Sequence, residues 1–397
     1  MPSLTLLTPF PPNPPHAGGT AHIFQLSRQL AHAYDLSLYT LADAPAEVRW
    51  GPMAQWCADA RAFPRGRGAA PGLRPASPAD PPAARQDRSP ALAAFLRERW
   101  RDAPPDVVQL EFSTMAQYAP LARAAGALAV CTAHNVAFLA QLRRARQERD
   151  MLLRMRRFAG ALSLWQYELR ALRWCDLVLT LSEVDAAALR RWLPRLPVAY
   201  VPSGIDLGAW PPCFSPQREG EVLFVGNYAH PPNAEGALWL AREVWPLVRR
   251  ACPAARLTLA GRAPSPAIQA LAAADVRVPG TVDDLRPLYA SASAVVAPIF
   301  WGSGVRIKLL EALACGVPVV TTALAAEGIA LAHGESALFA ETPEAFAAAI
   351  VRLLADPQLR AHIGAGGRAV AERDYDWAQI GRRLVGMYAA LRGQGER

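Results

Sequence analysis

Pro298-Ile-Phe-Trp-Gly-Ser-Gly-Val-Arg-Ile-Lys-Leu-Leu-Glu-Ala-Leu-Ala-Cys-Gly-Val-Pro-Val-Val-Thr-Thr322 reads as the end of a strand, a glycine loop, a helix, a short turn and a second strand. Residues 294–298 are apolar and suit a buried strand. Gly302, Ser303 and Gly304 then let the backbone approach a ligand closely. Residues 305–315 predict a helix with Leu309, Leu310 and Leu313 inward and Gly316 as its stop. The start of such a helix, from Val305, presents unpaired N–H groups and the positive end of a dipole, which suits a phosphate. Arg306 and Lys308 add cationic donors, and Glu311 lies one turn beyond Lys308 on the same face. A diphosphate joined to a sugar or ribose would use all of these groups.

This stretch closely resembles the donor-binding segment of GT-B glycosyltransferases, in particular the large retaining bacterial glycosyltransferase family 4. The family's usual pattern has two glutamates eight positions apart. Glu311 matches the second, and Ser303 stands where the first would be. The Gly-Ser-Gly-X-Arg-X-Lys order matches a subgroup of that family. The resemblance implies an α/β fold of two Rossmann-like domains whose parallel sheets face a central cleft. It also implies transfer of a sugar from a nucleotide diphosphate-sugar with retention of anomeric configuration.

Composition agrees with that size and class. A chain of 397 residues, 52% hydrophobic, predicts two or more domains with substantial cores. No apolar run approaches a membrane span. The first fifteen residues lack a charged start and read as a first strand rather than a signal peptide. Six cysteines are scattered without a CxxC pair, which fits a reducing cytoplasm and neither a disulfide frame nor a zinc site. The net charge of +8 is concentrated: residues 141–173 hold nine arginines against Glu148, Asp150 and Glu168. That segment is either a solvated helix face or a contact for an anionic membrane. No nucleic-acid motif accompanies it.

Strand-like runs alternate with amphipathic helices in two series, as parallel sheets covered by helices require. The first series includes residues 4–8, 36–41, 107–110, 127–132 and 177–181. The second includes residues 222–226, 256–260, 294–298 and 317–321. Residues 201–206 and 211–216 read as a linker. The expected domains are therefore 1–205 and 206–376, with a last helix over 377–397 that, by the resemblance, packs back on the first. Residues 64–90 carry seven prolines and predict an irregular loop. Ser182-Glu-Val-Asp185 and Thr342-Pro343 predict helix starts.

The remaining constellations take their roles from the resemblance. Gly18 and Gly19 open the first helix, under the donor phosphates or near the acceptor. His134 follows a strand end and would contact the donor sugar or support the reaction centre. Glu111 ends the neighbouring strand and would meet the acceptor or a local arginine. Gly226 opens the second domain, but the family's following basic residues are replaced by Tyr228-Ala-His230, leaving phosphate contact to Arg306 and Lys308. Arg262 ends the next strand, and the loop containing Val282 would read the base by its backbone. Glu311 would hold ribose hydroxyls. No cofactor and no metal are expected, since the one Asp-X-Asp spacing, Asp374 to Asp376, lies beside the last helix. The acceptor is expected to be a sugar or lipid-linked sugar, with the protein cytoplasmic or peripheral on the inner membrane face. Two rivals share these residues: a nucleotide-sugar 2-epimerase and a non-catalytic nucleotide-sugar-binding protein.

Overall fold

A computed structural model describes residues 1–13, 18–66, 70, 72–74, 77, 79–148, 150–213, 219–302 and 305–395. The chain divides into two compact units, Met1–Pro202 with Trp377–Arg397, and Ser203–Asp376. The division falls three residues before the expected 205/206 boundary. The reason is local: the Ile205 N–H donates to the Tyr375 carbonyl at 2.7 Å, and Ile205 bridges Asp376 in parallel, so this segment belongs to the second unit.

The first unit holds seven parallel strands: β1 Ser3–Thr8, β2 Asp35–Ala42, β3 Asp59–Pro64, β4 Val107–Glu111, β5 Leu128–Ala133, β6 Leu177–Thr180 and β7 Val198–Tyr200. Their order is β3-β2-β1-β4-β5-β6-β7. The direction of winding reverses between β1 and β4, the place where open α/β sheets bind ligands at the carboxyl ends of their strands. β4 and β6 are buried at every residue; β6 is almost wholly apolar, while β4 also buries Gln109 and Glu111. One face is covered by the helix Gly18–Leu30 and by the last helix, Trp377–Gly395. Trp377, Ile380, Leu384 and Tyr388 pack there against Leu4, Leu6 and Ile23. The other face packs Leu92, Leu96 and Trp100 of the helix Pro90–Asp102 against Tyr39 and Leu110.

The second unit holds β8 Glu221–Val225, β9 Arg256–Ala260, β10 Val276–Gly280, β11 Ala294–Ala297, β12 Val319–Thr321 and β13 Leu338–Phe339. All are parallel, in the order β10-β9-β8-β11-β12-β13. The helix after β11 runs Ile307–Cys315 and buries Leu309, Leu310 and Leu313. Gly316 closes it at φ 68°, the left-handed conformation that glycine adopts without strain.

Several expectations need correction. The helix after the glycine loop starts at Ile307, not Val305; Val305 and Arg306 precede it, with Arg306 extended at the N-cap. Residues 64–90 are not wholly irregular: Pro64 ends β3, Pro82–Gln86 is a short helix, and Pro90 opens another at a first-turn position that needs no N–H. The edge strands β3, β7, β10 and β13 go beyond the expected strands, because all four are short or half-exposed and lack a buried apolar run. Of the linker 211–216, residues 214–216 lie outside the described residues. Ser182 and Thr342 cap their helices as their sequence patterns require.

Candidate active site

Each unit carries its own group of candidate residues. In the second, the candidate donor residues follow the carboxyl ends of β8, β9, β10 and β11. Gly302 sits at φ 112°, and a Cβ there would lie 3.5 Å from Arg306 Nη2 and 3.6 Å from Pro232. The Arg306 guanidinium therefore folds back across the glycine turn toward the helix Pro231–Trp239. Lys308 converges on the same place. Its Nζ donates to Asn233 Oδ1 at 2.7 Å and lies 4.4 Å from the centre of the Phe224 ring. Arg306 does not cap the Ile307–Cys315 helix with its side chain, and its carbonyl accepts from the first-turn Leu309 N–H at 2.8 Å. Arg306 and Pro232 thus border the same glycine, and Lys308 bonds the next residue of that helix, Asn233.

Burial lowers the Lys308 ammonium to about 7, with the Arg306 charge acting in the same direction and Glu311 opposing it. Half-buried Glu311 accepts from the Tyr289 hydroxyl at 2.7 Å. Its carboxyl is raised by burial, against the pull of Tyr289 and Lys308. Such shifts mark a site where a bound anion would change the balance. Val305 is half-buried and packs on the core beneath the turn. Ser303 and Gly304 lie outside the described residues.

Gly226 and Gly261 bring the ends of β8 and β9 into contact. Gly261 has φ 143°, and a Cβ on it would stand 1.7 Å from the Gly226 carbonyl oxygen. The Tyr228 N–H donates to the Arg262 carbonyl at 2.9 Å, and the Gly261 N–H to Gly280 at 2.9 Å. Arg262 and Val282 therefore follow adjacent strand ends, with Arg262 exposed and Val282 half-exposed.

In the first unit His134 lies just past β5. Its Nε2 is 2.6 Å from Glu111 Oε2 at the end of β4. Glu111, expected at the acceptor, has no exposed surface. Gln109 Nε2 and Thr132 Oγ1 donate to its other oxygen at 2.8 and 3.1 Å. Burial would raise its carboxyl, but the hydrogen bond and charge of His134, with help from His22 and Gln109, outweigh burial and hold it below the usual range. An ionised Glu111 only accepts, so His134 Nε2 carries the proton between them, and Nδ1 is the nitrogen left for other chemistry. The Tyr388 hydroxyl, on the last helix, donates to Gln109 Oε1 at 2.6 Å. A chain of hydrogen bonds thus runs from the C-terminal helix to His134.

Aromatic rings fix His134 from both sides. Phe112 stacks on it at 3.8 Å with 5° between planes, and His22 meets it edge-on at 4.8 Å. Phe112 holds φ 71°, a strained conformation for a non-glycine residue that aims the ring at His134. Gly19 leaves room for that ring: a Cβ there would approach the Phe112 ring edge to 3.0 Å. Gly18 opens the same helix. His22, Glu111 and His134 offer three ligand atoms of metal-binding type within 4.8 Å of one another. Glu111 Oε1 accepts from Gln109 and Thr132, and Oε2 lies against His134, another member of the group.

Sequence reasoning missed Phe112, Gln109, His22 and Tyr388 in the first unit and Asn233, Phe224 and Tyr289 in the second. The available signals were alternation in Val107-Val-Gln-Leu-Glu111, where Gln and Glu share one face of a buried strand, and His22 one turn into the glycine-led helix.

Residues 16–209 match the family described as Glycosyltransferase Family 4, and residues 219–356 match Glycosyl transferases group 1. The chain belongs to the GT-B glycosyltransferases of family 4. It is 32% identical over 206 residues to a phosphatidyl-myo-inositol mannosyltransferase of Mycolicibacterium smegmatis, covering 49% of this chain and 52% of that protein. A protein of the same name from Mycobacterium leprae is 30% identical over 251 residues, covering 59% and 65%. The chain spans about half the length of the curated relatives it matches. In fold, this glycosyltransferase is similar to a sucrose-phosphate synthase from Thermosynechococcus elongatus, with TM-score 0.72, 19% identity and coverage of 98% and 99%. It is also similar to Anabaena HepE in complex with UDP, with TM-score 0.70, 15% identity and coverage of 98% and 100%.

Proposed function

We propose that this glycosyltransferase moves a hexose from a nucleoside diphosphate donor to an acceptor hydroxyl, with retention and without a metal or cofactor, in polysaccharide or glycolipid synthesis. The observation that supports the reading is that Arg306 borders Gly302 and Lys308 bonds Asn233, both beside the start of the Ile307–Cys315 helix. As the glycosidic bond breaks, negative charge develops on the leaving diphosphate. Fixed cations and helix N–H groups stabilise that charge in place of a metal ion. Glu311 would accept hydrogen bonds from ribose hydroxyls. The acceptor would attack on the face the diphosphate leaves, giving its proton to a diphosphate oxygen. His134 would orient the sugar through Nδ1. HepE, similar in fold, is known in complex with UDP and with UDP-glucose, which supports a nucleotide-sugar donor here.

The reading includes a membrane-associated acceptor at the cytoplasmic face. The helix Met151–Leu172 exposes Met151, Leu152, Met155, Phe158 and Leu162, with Leu152 75% and Met155 63% accessible, beside Arg154 and Arg156. Apolar side chains among arginines fit an anionic interface. Among the described residues no helix is long and apolar enough to cross a membrane.

The test is turnover of nucleotide-sugars with candidate acceptors in excess chelator, with the anomeric configuration of the product read by NMR. Product with the donor's configuration, formed at an undiminished rate, is expected. An inverted product, or rescue only by magnesium or manganese, would refute the retaining, metal-free mechanism.

A further inference from the structure

A cavity of about 280 Å³ lies on the helix layer of the first unit, lined in part by Arg74, Asp80, Arg88, Tyr167, Arg170 and Trp174. The first three precede the helix Pro90–Asp102, and the others belong to the end of the helix Met151–Leu172 and the turn after it. None of the lining residues is a member of the His134 cluster or of the donor set. Hydrogen bonds and packing fix the wall. Leu73, beside Arg74, is buried in the core. The Ser163 hydroxyl donates to the Ala79 carbonyl at 2.6 Å, and Asp80 pairs with Arg170. Gln117 Nε2 donates to the Ala84 and Asp87 carbonyls at 3.1 and 3.2 Å, and the Ser89 N–H donates to the Tyr118 hydroxyl at 2.8 Å, which holds the chain on both sides of Arg88.

The charges say what kind of ligand fits. Among the described lining residues three arginines meet one aspartate, a surplus of two positive charges. Arg88 is only 5% exposed, so its charge sits in the wall and not out in solvent, where arginines are mostly found. Guanidinium groups match phosphate oxygens in a two-pronged geometry. A phosphate monoester carries close to two negative charges at pH 7, which balances the surplus; a carboxylate would leave one cation uncompensated. The rest of the lining is aromatic. The Tyr167 hydroxyl is spent on the Thr114 carbonyl at 3.0 Å, so its ring serves as wall. Trp174 is 41% exposed and offers a flat apolar face. The volume lies just under the range of about 300–1,000 Å³ usual for ligand pockets. It has room for a phosphate and one ring, and not for a nucleotide diphosphate-sugar.

We propose that this cavity binds a small phosphate monoester, with its phosphate held by Arg74, Arg88 and Arg170 and its organic part against Trp174. The site is separate from the donor turn and does not rest on the transfer reading.

The experiment is calorimetry and saturation-transfer NMR at low salt on the full chain, with phenyl phosphate as the probe and inorganic phosphate, benzoate and benzyl alcohol beside it. Every sample carries Arg306→Ala and Lys308→Ala, so that the candidate donor turn does not hold the phosphate. Phenyl phosphate should bind more tightly than the other three. Adding Arg74→Gln and Arg170→Gln should raise its dissociation constant tenfold or more, as loss of two charge-assisted contacts predicts. Asp80→Asn should lower it, because the change removes the competing carboxylate and releases Arg170. That opposite sign separates direct contact from damage to the wall. Trp174→Ala should reduce phenyl phosphate to the affinity of inorganic phosphate, with unfolding curves confirming folded variants. Vesicles containing phosphatidate identify the source: displacement of phenyl phosphate marks a lipid headgroup and none marks a soluble metabolite, and either keeps the site. No binding of phenyl phosphate, equal binding of benzoate or benzyl alcohol, an unchanged constant in the arginine variant, or no tighter binding in Asp80→Asn would overturn it.

Discussion

Glu111 Oε2 lies 2.6 Å from His134 Nε2, and no part of Glu111 reaches solvent. The carboxylate therefore acts on the reaction only through the imidazole. Replacing Glu111 with Gln keeps the shape and removes the charge that fixes the His134 proton on Nε2. We expect kcat to fall about a hundredfold, the cost of misplacing a group that orients the substrate. Nucleotide affinity should hold, because the proposed phosphate contacts of Arg306 and Lys308 belong to the other unit. Steady-state kinetics and the ¹⁵N shifts of His134 check this; an unchanged tautomer and kcat would remove His134 from the mechanism.

Arg306→Ala and Lys308→Ala should each weaken nucleoside diphosphate binding by about 1.5–3 kcal/mol, the range for a hydrogen bond to a charged group. Calorimetry on each variant decides it, and unchanged affinity would mean that the diphosphate sits elsewhere.

Lys308 adds a proton signature. Burial holds its ammonium at about 7 in the free protein, so near neutral pH part of the population is uncharged. A bound diphosphate favours the charged form, so binding should take up protons, more at pH 8 than at pH 6. Affinity should then decline as pH rises above 7. Titrations in buffers of different ionisation enthalpy measure the uptake, and Lys308→Ala should abolish it.

His22 ties stability to pH. Burial, then the neighbouring His134 charge, lowers its imidazole from 6.5 to about 3. The unfolded chain gains a proton below 6.5 that the folded chain refuses. Stability should therefore fall as pH drops from 6.5 toward 3, by up to about 1.4 kcal/mol per unit from this group. Raised carboxyls at Glu168 and Glu311 act in the opposite sense, so the informative quantity is a difference in slope. Urea midpoints from pH 4 to 7 should depend less on pH in His22→Gln than in the parent; identical slopes would show that His22 is charged in the fold.

Binding to anionic vesicles should decline as salt rises, since each basic residue near such a surface contributes about 1 kcal/mol that salt screens. Substituting Arg154, Arg156 and Arg157 with Gln should reduce it further. Arg157 also pairs with Glu148 at 2.8 Å, so the Arg154 and Arg156 changes alone should account for most of the loss. Equal partition onto neutral vesicles would assign Met151–Leu172 to ordinary solvent exposure.

The strand–turn–helix that carries the candidate donor residues was legible in sequence because its parts are local. A glycine turn, Arg306, Lys308, Glu311 and the Gly316 stop span fifteen residues, and helical periodicity places each on a face. The His134 surroundings were not legible. Gln109, Glu111, His134, His22 and Tyr388 come from four separate segments, and only the parallel pairing of β4 with β5 and the packing of the last helix bring them together. Edge strands such as β3 and β13 carry too little buried apolar sequence to announce themselves. The proline-rich stretch misled because proline at Pro82 and Pro90 starts helices as readily as it forbids their interiors.

The first unit is interrupted in the chain: its opening 202 residues must wait for Trp377–Arg397 to be complete. During synthesis the second unit leaves the ribosome before the helix that carries Tyr388 exists. Until then Gln109 lacks its hydroxyl partner, and Leu4, Leu6 and Ile23 lack part of their cover. The His134 cluster can therefore be finished only after the codon for Tyr388 is translated, which links the first unit's histidine cluster to the integrity of a helix more than 250 residues further on. A nascent chain, or one clipped before Trp377, would retain the turn of Arg306 and Lys308 while its histidine cluster remained unassembled.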